Sequence, residues 1–347
     1  MKGSVLGRRK RRSAESGLTP GLMIGLMLAT ASGYPVGALG VAAASPLLLT
    51  AIRLAVAASA MTALAFTAKA TWPRGRVLAH CVVVGVLGHC VHFASLYAGL
   101  AAGVPASVSA LIFGMQPVLT AVLATALLGE RLGWLRLLGL VLGVAAVLVA
   151  LWHKVASTGR LDVGSALTLL GLLGLSGSIV WQQRFCRGVD LRAASAVQLG
   201  AAVPPLVVLA VLERGAIHDA PQAALVIAWL VVVNSMLGTR LMLATVARIG
   251  AARTSVVSCL VPAMAAIMSW PMLGQRPTGG VLLGLALGVP ACLLGSGVLR
   301  NRRGSDNDRR THPHPAQSPC GGGGSQPIAG PQRAVDSPGR SDRRGLR

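Results

Sequence analysis

The sequence predicts an all-α, polytopic membrane protein of about ten transmembrane helices arranged as two inverted five-helix repeats. Three observations predict it. Apolar stretches of about 20 residues, the length of one bilayer crossing, recur up to position 299; basic residues gather at the ends and in alternate connections; and two long stretches match at a fixed offset of 145 residues.

Hydrophobic residues make up 53% of the 347 positions and charged residues 12%, whereas a soluble domain carries about 25% charged residues. Ten crossings with short connections use nearly all the apolar sequence, so no soluble catalytic domain fits and no enzyme is expected. The formal net charge of +22 does not describe a face for nucleic acid, because the basic residues sit in the ends and alternate loops. The six cysteines are scattered without a C-x-x-C pair; they read as small apolar residues, and neither a zinc site nor a disulfide framework is expected.

Taken in order, residues 1–16 form a basic polar arm holding Arg8, Arg9, Lys10, Arg11 and Arg12. The apolar stretch that follows, with its Ala-rich end at 41–45, is too long for a cleaved signal core and is read as the first span. Spans are expected at 18–41, 47–68, 78–98, 105–128, 133–152, 163–183, 194–212, 222–243, 250–273 and 278–299. They group into a first repeat, 17–152, and a second, 153–299. From 300 to 347 the chain holds ten Arg, a GGGG run and several Pro with little to bury, which predicts a disordered basic tail.

Orientation follows from the basic loops, which stay in the cytoplasm. Lys69, Arg74, Arg76, Arg131, Arg136, Arg184, Arg187, Arg192, Arg240, Arg248 and Arg253 share a side with both ends; Lys154, Arg160, Arg214 and Arg276 lie opposite. Both termini are therefore expected in the cytoplasm of a multi-pass protein of the cell membrane. Trp72, Trp134 and Trp152 fall near span ends, as interfacial aromatics do.

The repeat aligns ASVSALIFGMQPVLTAVLATALLGERLGWLRLLGLVLGV from Ala106 with AARTSVVSCLVPAMAAIMSWPMLGQRPTGGVLLGLALGV from Ala251 without a gap. Pro117 meets Pro262, Gly129 meets Gly274, Arg131 meets Arg276, Gly139 meets Gly284 and Gly143 meets Gly288. Five spans per half is an odd number and inverts the second half, the organisation that lets two halves rock about a central site.

These residues carry a family pattern. A span with a central Pro, a span end reading LLGERL and a following span with spaced glycines resemble the EamA-like branch of the drug/metabolite transporter superfamily. Pro117, Gly129, Glu130, Gly139 and Gly143 carry the resemblance, echoed by Pro262, Gly274, Gln275, Gly284 and Gly288. It implies ten helices, a pocket between the halves and transport of a small metabolite or drug-like molecule, often outward. The chain departs from the pattern at Gln275, where the first repeat has Glu130, and in the first span, which reads SGYPVGALG without the Trp and Asn often seen in relatives.

Several residues are candidates for substrate contact. Pro117 and Pro262 would each remove a backbone donor near mid-span and expose carbonyls. His89 and His92 stand at i, i+3 near the middle of their span, with Tyr97 towards its outer end; they would handle substrate or protons, or be satisfied structurally by a neighbouring carbonyl. Two His without a third ligand are a poor metal site, so no metal is expected. Gln116 and Asn234 carry amides at mid-span that would bind substrate or tie helices together. Trp181 and Trp270 would form an aromatic wall or anchor at the interface. Arg53 is read as snorkelling to the headgroups, the other reading being contact with an anionic substrate. Gly139, Gly143, Gly284 and Gly288 form G-x-x-x-G pairs expected to pack helices, within the monomer or in a homodimer.

All ten acidic residues fall in loops, span ends or tails, and no P-loop is present, so neither a buried carboxylate nor ATP is expected to drive transport. No cofactor is implied. The expected partners are the bilayer and a small-molecule substrate. A lipid-carrier flippase on the same fold and a non-transporting membrane scaffold are the competing readings.

Overall fold

The computed structural model describes residues 3–128, 134–158 and 162–295. Gly129, Glu130, Arg131, Cys320 and the expected basic tail lie outside them. The elements are α1 (Gly3–Ala43), α2 (Pro46–Thr67), α3 (Gly75–Gly85), a π-helical segment (Val86–Val91), α4 (His92–Ala101), α5 (Ala106–Gly114), α6 (Gln116–Leu128) and α7 (Trp134–Thr158). They continue as α8 (Val163–Phe185), α9 (Leu191–Leu212), α10 (Ala220–Trp229), a second π-helical segment (Leu230–Leu237), α11 (Gly238–Ile249), α12 (Ala251–Leu273) and α13 (Gly279–Gly295). Among the described residues extended pairing is confined to one isolated antiparallel bridge, Ala44 to Ile217.

By length and composition seven helical stretches suffice to cross a membrane: 20–43, 46–67, 75–101, 106–127, 163–185, 191–212 and 220–249. Leu137–Leu151, Val257–Leu273 and Gly279–Leu294 are shorter apolar helices. The ten expected spans thus divide into seven long ones and three that length alone does not establish as crossings.

Local chemistry explains the boundaries. Pro46 opens α2, where a helix has no use for the missing N–H. Asp162, Asp190 and Asp219 cap α8, α9 and α10 by accepting from the backbone N–H of Ser165, Arg192 and Gln222, which accounts for three of the loop carboxylates. Gly274 ends α12 at φ 66°, the left-handed conformation that glycine adopts without a Cβ penalty.

The offset of 145 residues extends well beyond the matched stretches. It carries α2 onto α9, the starts of α3 and α5 onto those of α10 and α12, and the start of α7 onto that of α13. The two π-helical segments also correspond, one beginning at Val86 and the other at Leu230. Equivalent helices pack on each other: α2 on α9, α5 on α12, and α7 on α13. Other large interfaces come in exchanged pairs, α1 with the α10–α11 unit and α8 with the α3–α4 unit, and α1 with α12 and α8 with α5–α6. That is the signature of a pseudo-two-fold relation between the halves.

Close approach is bought with small residues. A Cβ on Gly284 would sit 2.9 Å from the Ala146 carbonyl of α7 and 2.7 Å from Leu111, one on Gly288 would sit 2.9 Å from Leu111, and one on Gly143 would meet Met115. Gly139 is buried. Gly143, Gly284 and Gly288 therefore lie where α7, α13 and the α5–α6 span converge. Cys259 and Cys292 form a disulfide between α12 and α13, and the Sγ atoms of Cys81 and Cys186 are 3.8 Å apart across α3 and α8. The reading of all six cysteines as unpaired apolar residues is corrected by that disulfide, because residues 33 apart in sequence become neighbours only when their helices pack.

Among the described glycines, the closest approach between the halves is at Gly85, where an added Cβ would meet the Gln198 carbonyl and come within 2.8 Å of its Cα. Gly85→Ala is expected to destabilise the protein by about 1–3 kcal/mol, the range for overpacking, and to lower its thermal midpoint in detergent by several degrees. Gly177→Ala, which meets nothing within 4 Å, should leave the midpoint where it is.

Candidate functional site

A cavity of about 490 Å3 lies between the halves. Thr30, Gly33 and Tyr34 of α1, Arg53, Leu54 and Met61 of α2, and His89, His92, Phe93, Leu96 and Tyr97 of the α3–α4 unit contribute from the first half. Ser195 and Leu199 of α9, Asn234 to Met242 around the second π-helical segment, and Val257, Ser258 and Val261 of α12 contribute from the second.

Both π-helical segments reach this cavity, and the widened turn is the reason their side chains do. A π-turn inserts an extra residue and redirects the side chains that follow, and such turns are frequent at functional sites. His89 in the first segment and Asn234 in the second are 145 positions apart, so they are equivalent under the repeat. Asn234 Nδ2 donates to the Ala29 carbonyl of α1 at 2.7 Å, and Gly33 makes room for it, since a Cβ there would lie 2.6 Å from that nitrogen. Among the described residues Asn234 Oδ1 and His89 Nδ1 find no hydrogen-bond partner.

Phe93 is the hub of the first-half wall. Its ring stacks on His92 at 4.3 Å and on Tyr97 at 6.1 Å, and the Arg53 guanidinium lies over its face 4.2 Å from the centroid. His92 Nδ1 donates to the Gly88 carbonyl one turn back, at 3.2 Å. Arg53 is 4% exposed and donates from Nη1 to the Tyr97 hydroxyl, while its Nε has no partner among the described residues. Among the described residues it pairs with no carboxylate, and no Asp or Glu lines the cavity.

Of the residues expected to touch substrate, the structure brings His89, His92 and Asn234 together on this wall. Gln116 is off it and bonds within its own helix, to Thr120 Oγ1 at 2.9 Å. Pro117 follows a break at Met115 that splits one span into α5 and α6, whereas Pro262 sits inside an unbroken α12. Pro262 packs against Gly114, whose added Cβ would be 2.6 Å from its Cγ; neither proline lines the cavity. Trp181 stands apart in a cluster with His80 and Phe185, and Trp270 is exposed.

Arg53 and the aromatic groups Tyr34, Phe93 and Tyr97 are what sequence reasoning underrated. Arg53 does not snorkel; it is buried against the cavity. The signal for the others was available, because His89, Phe93 and Tyr97 recur every four residues, on one helical face.

At one end the cavity lining stops short of the α1–α2 turn. There the α1–α2 turn meets the α9–α10 turn: Ser45 N donates to the Ala216 carbonyl at 2.9 Å, Ala216 N to Ser45 Oγ at 2.9 Å, and His218 N to the Ala43 carbonyl at 2.8 Å. Its exposed lining residues, Thr30, Thr239 and Met242, lie towards the other end, where the loops carry Arg74, Arg76, Arg187, Arg192 and Arg248.

A model of the EamA-like transporter family matches residues 19–152 and again residues 162–296. The chain belongs to that family. As an EamA-like protein it is a multi-pass membrane transporter, and the cavity sits between its two matched halves. It is 28% identical over 250 residues to a probable terminal-alkyne amino-acid exporter of Streptantibioticus cattleyicolor, covering 71% of this chain and 82% of that one. It is 24% identical over 276 residues to the uncharacterized transporter YdfC of Bacillus subtilis, covering 79% and 89%. A crystal structure of a protein 19% identical covers 83% of this EamA-like chain and 98% of its own, with a TM-score of 0.55, a likeness of fold alone.

The geometry predicts which positions water reaches. In a Cys186→Ser/Cys320→Ser background, Ser258→Cys is expected to react with a membrane-impermeant maleimide offered from the basic-loop side. Gln116→Cys should react at least tenfold more slowly, as gel-shift labelling would measure.

Proposed function

We propose that this protein is a secondary transporter that exports a small metabolite across the cell membrane by alternating access at the central cavity. The observation that carries the reading is a cavity between two pseudo-equivalent halves, with a backbone clasp beyond one end and exposed lining residues at the other. In this reading the halves 17–152 and 153–299 rock against each other, and the clasp of Ala44–Ser45 with Ala216–His218 is the gate on the outer side. The basic loops beside the mouth support a cytoplasmic mouth by the positive-inside rule, which loading from inside would require.

An amino-acid-sized substrate fits a volume of about 490 Å3, and the exporter from Streptantibioticus cattleyicolor supports both the substrate class and the direction. Energy would come from a gradient or from exchange. With no carboxylate on the cavity wall, a proton-coupled cycle would have to use His89 or His92, and transport in proteoliposomes with and without an imposed pH gradient distinguishes the cases.

Two outcomes are expected. Saturable transport by the purified protein should fall at least tenfold in Asn234→Leu and stay within about twofold in Gln116→Leu; equal loss in both would argue against this cavity as the route. Directly opposed residues of an antiparallel bridge lie about 4.5–5.5 Å apart at Cα, within disulfide range. Ala44→Cys/Ile217→Cys should therefore lock the clasp on oxidation and stop transport, with recovery on reduction. Undiminished transport by the oxidised, cross-linked protein would rule out opening at the clasp.

A further inference from the structure

We propose that Arg53 is the anchor for a carboxylate, so that the transported molecule is a small organic acid or zwitterion with an apolar body. The inference rests on the cavity being the transport site and adds the chemistry it selects.

A guanidinium stays charged in any protein environment and carries five N–H donors. Arg53 is nine-tenths buried on the cavity wall, and the Tyr97 hydroxyl accepts its one hydrogen bond to the described residues; Nε has no partner among them. A buried cation with no anion is among the most costly arrangements within a membrane. Contact with the Phe93 face at 4.2 Å offsets part of that cost but consumes none of the donors.

The repeat shows that the fold does not need this charge. The position equivalent to Arg53 in α9 is Gln198, a neutral side chain that is also buried. Two equivalent helices packed on each other thus differ in carrying a cation, and Arg53 lines the cavity whereas Gln198 does not. A planar fork with free donors matches a carboxylate in geometry and charge. A single cation suits one negative charge better than a phosphate dianion. Around it Leu54, Leu199 and Val261 supply apolar wall for the rest of the molecule.

The test uses the full chain in nanodiscs. Binding is measured for carboxylates paired with their primary amides: leucine and leucinamide, phenylalanine and phenylalaninamide, hexanoate and hexanamide, with inorganic phosphate alongside. At least one acid is expected to bind about tenfold or more tightly than its amide, the scale of a charge-assisted hydrogen bond. That preference should vanish in Arg53→Gln, which installs the side chain the second half already accommodates, and weaken in Arg53→Lys, which keeps the charge and loses the fork.

Equal binding of acid and amide by the unmodified protein overturns the proposal whatever the variants do. So does a preference for phosphate over every carboxylate, or an acid preference that survives in an Arg53→Gln protein with an unchanged unfolding temperature. Transport of the same compounds in proteoliposomes separates this inference from the one beneath it. Acid-selective binding without transport would refute the transporter reading and leave the anion site standing; transport blind to the acid group would refute Arg53 alone.

Discussion

Within hydrocarbon a backbone amide or carbonyl finds no water, so a chain that crosses a bilayer must satisfy its backbone internally, and helices do this segment by segment. Departures from regular α-helix are tolerated where they are buried in protein or border a cavity. This protein departs at equivalent places in its halves, through the π-helical turns at Val86–Val91 and Leu230–Leu237. Both border the central cavity. The widened turns bring His89 and Asn234 to its wall from opposite halves, and everything else at the site is arranged around those two elements.

The scaffold is duplicated, whereas the chemistry is not. Equivalent helices meet across the pseudo-two-fold relation, and small residues such as Gly114 and Gly284 let their backbones approach. On that symmetric frame the side chains diverge: Arg53 answers to Gln198, His89 to Asn234, Tyr97 to Met242 and Phe93 to Gly238. The first half thereby carries the charge and the aromatic surface, while the second contributes an amide, hydroxyls and room. Duplication supplies two equivalent scaffolds, and divergence gives each half its own set of polar groups on the cavity wall.

The ends of the cavity differ for a reason that is equally local. The short α1–α2 turn at Ala44–Ser45 lies against the loop at Ala216–His218, and each satisfies the other's backbone groups. A bond network between two loops is a contact that can be exchanged with water, unlike the buried packing of α7 on α13. The loop contact and the α7–α13 packing thus differ in kind: the first is held by a few backbone hydrogen bonds, the second by helix faces in contact along their length.

Much of the organisation was legible in the chain itself. Apolar length, alternate basic loops and the match of Pro117 with Pro262 identify a helical membrane protein of two repeats, because hydrophobicity and topology are written locally. The candidate site was legible in part: His89, His92 and Asn234 stood out as polar residues at mid-span, where the bilayer leaves them few roles. Gln116 carried the same signal and turns instead onto Thr120, and Pro262 packs on Gly114 rather than opening a kink. Arg53 read as a snorkelling residue and proved to be buried under Tyr97 and Phe93. The sequence by itself determined the solvent, the helices and the duplication, since each depends on spacing along one chain. Tertiary structure alone decided which faces meet, which polar groups share a cavity and which cysteines pair, since those depend on the rotation of each helix about its axis, and an apolar environment on every side leaves no amphipathic stripe from which to read it.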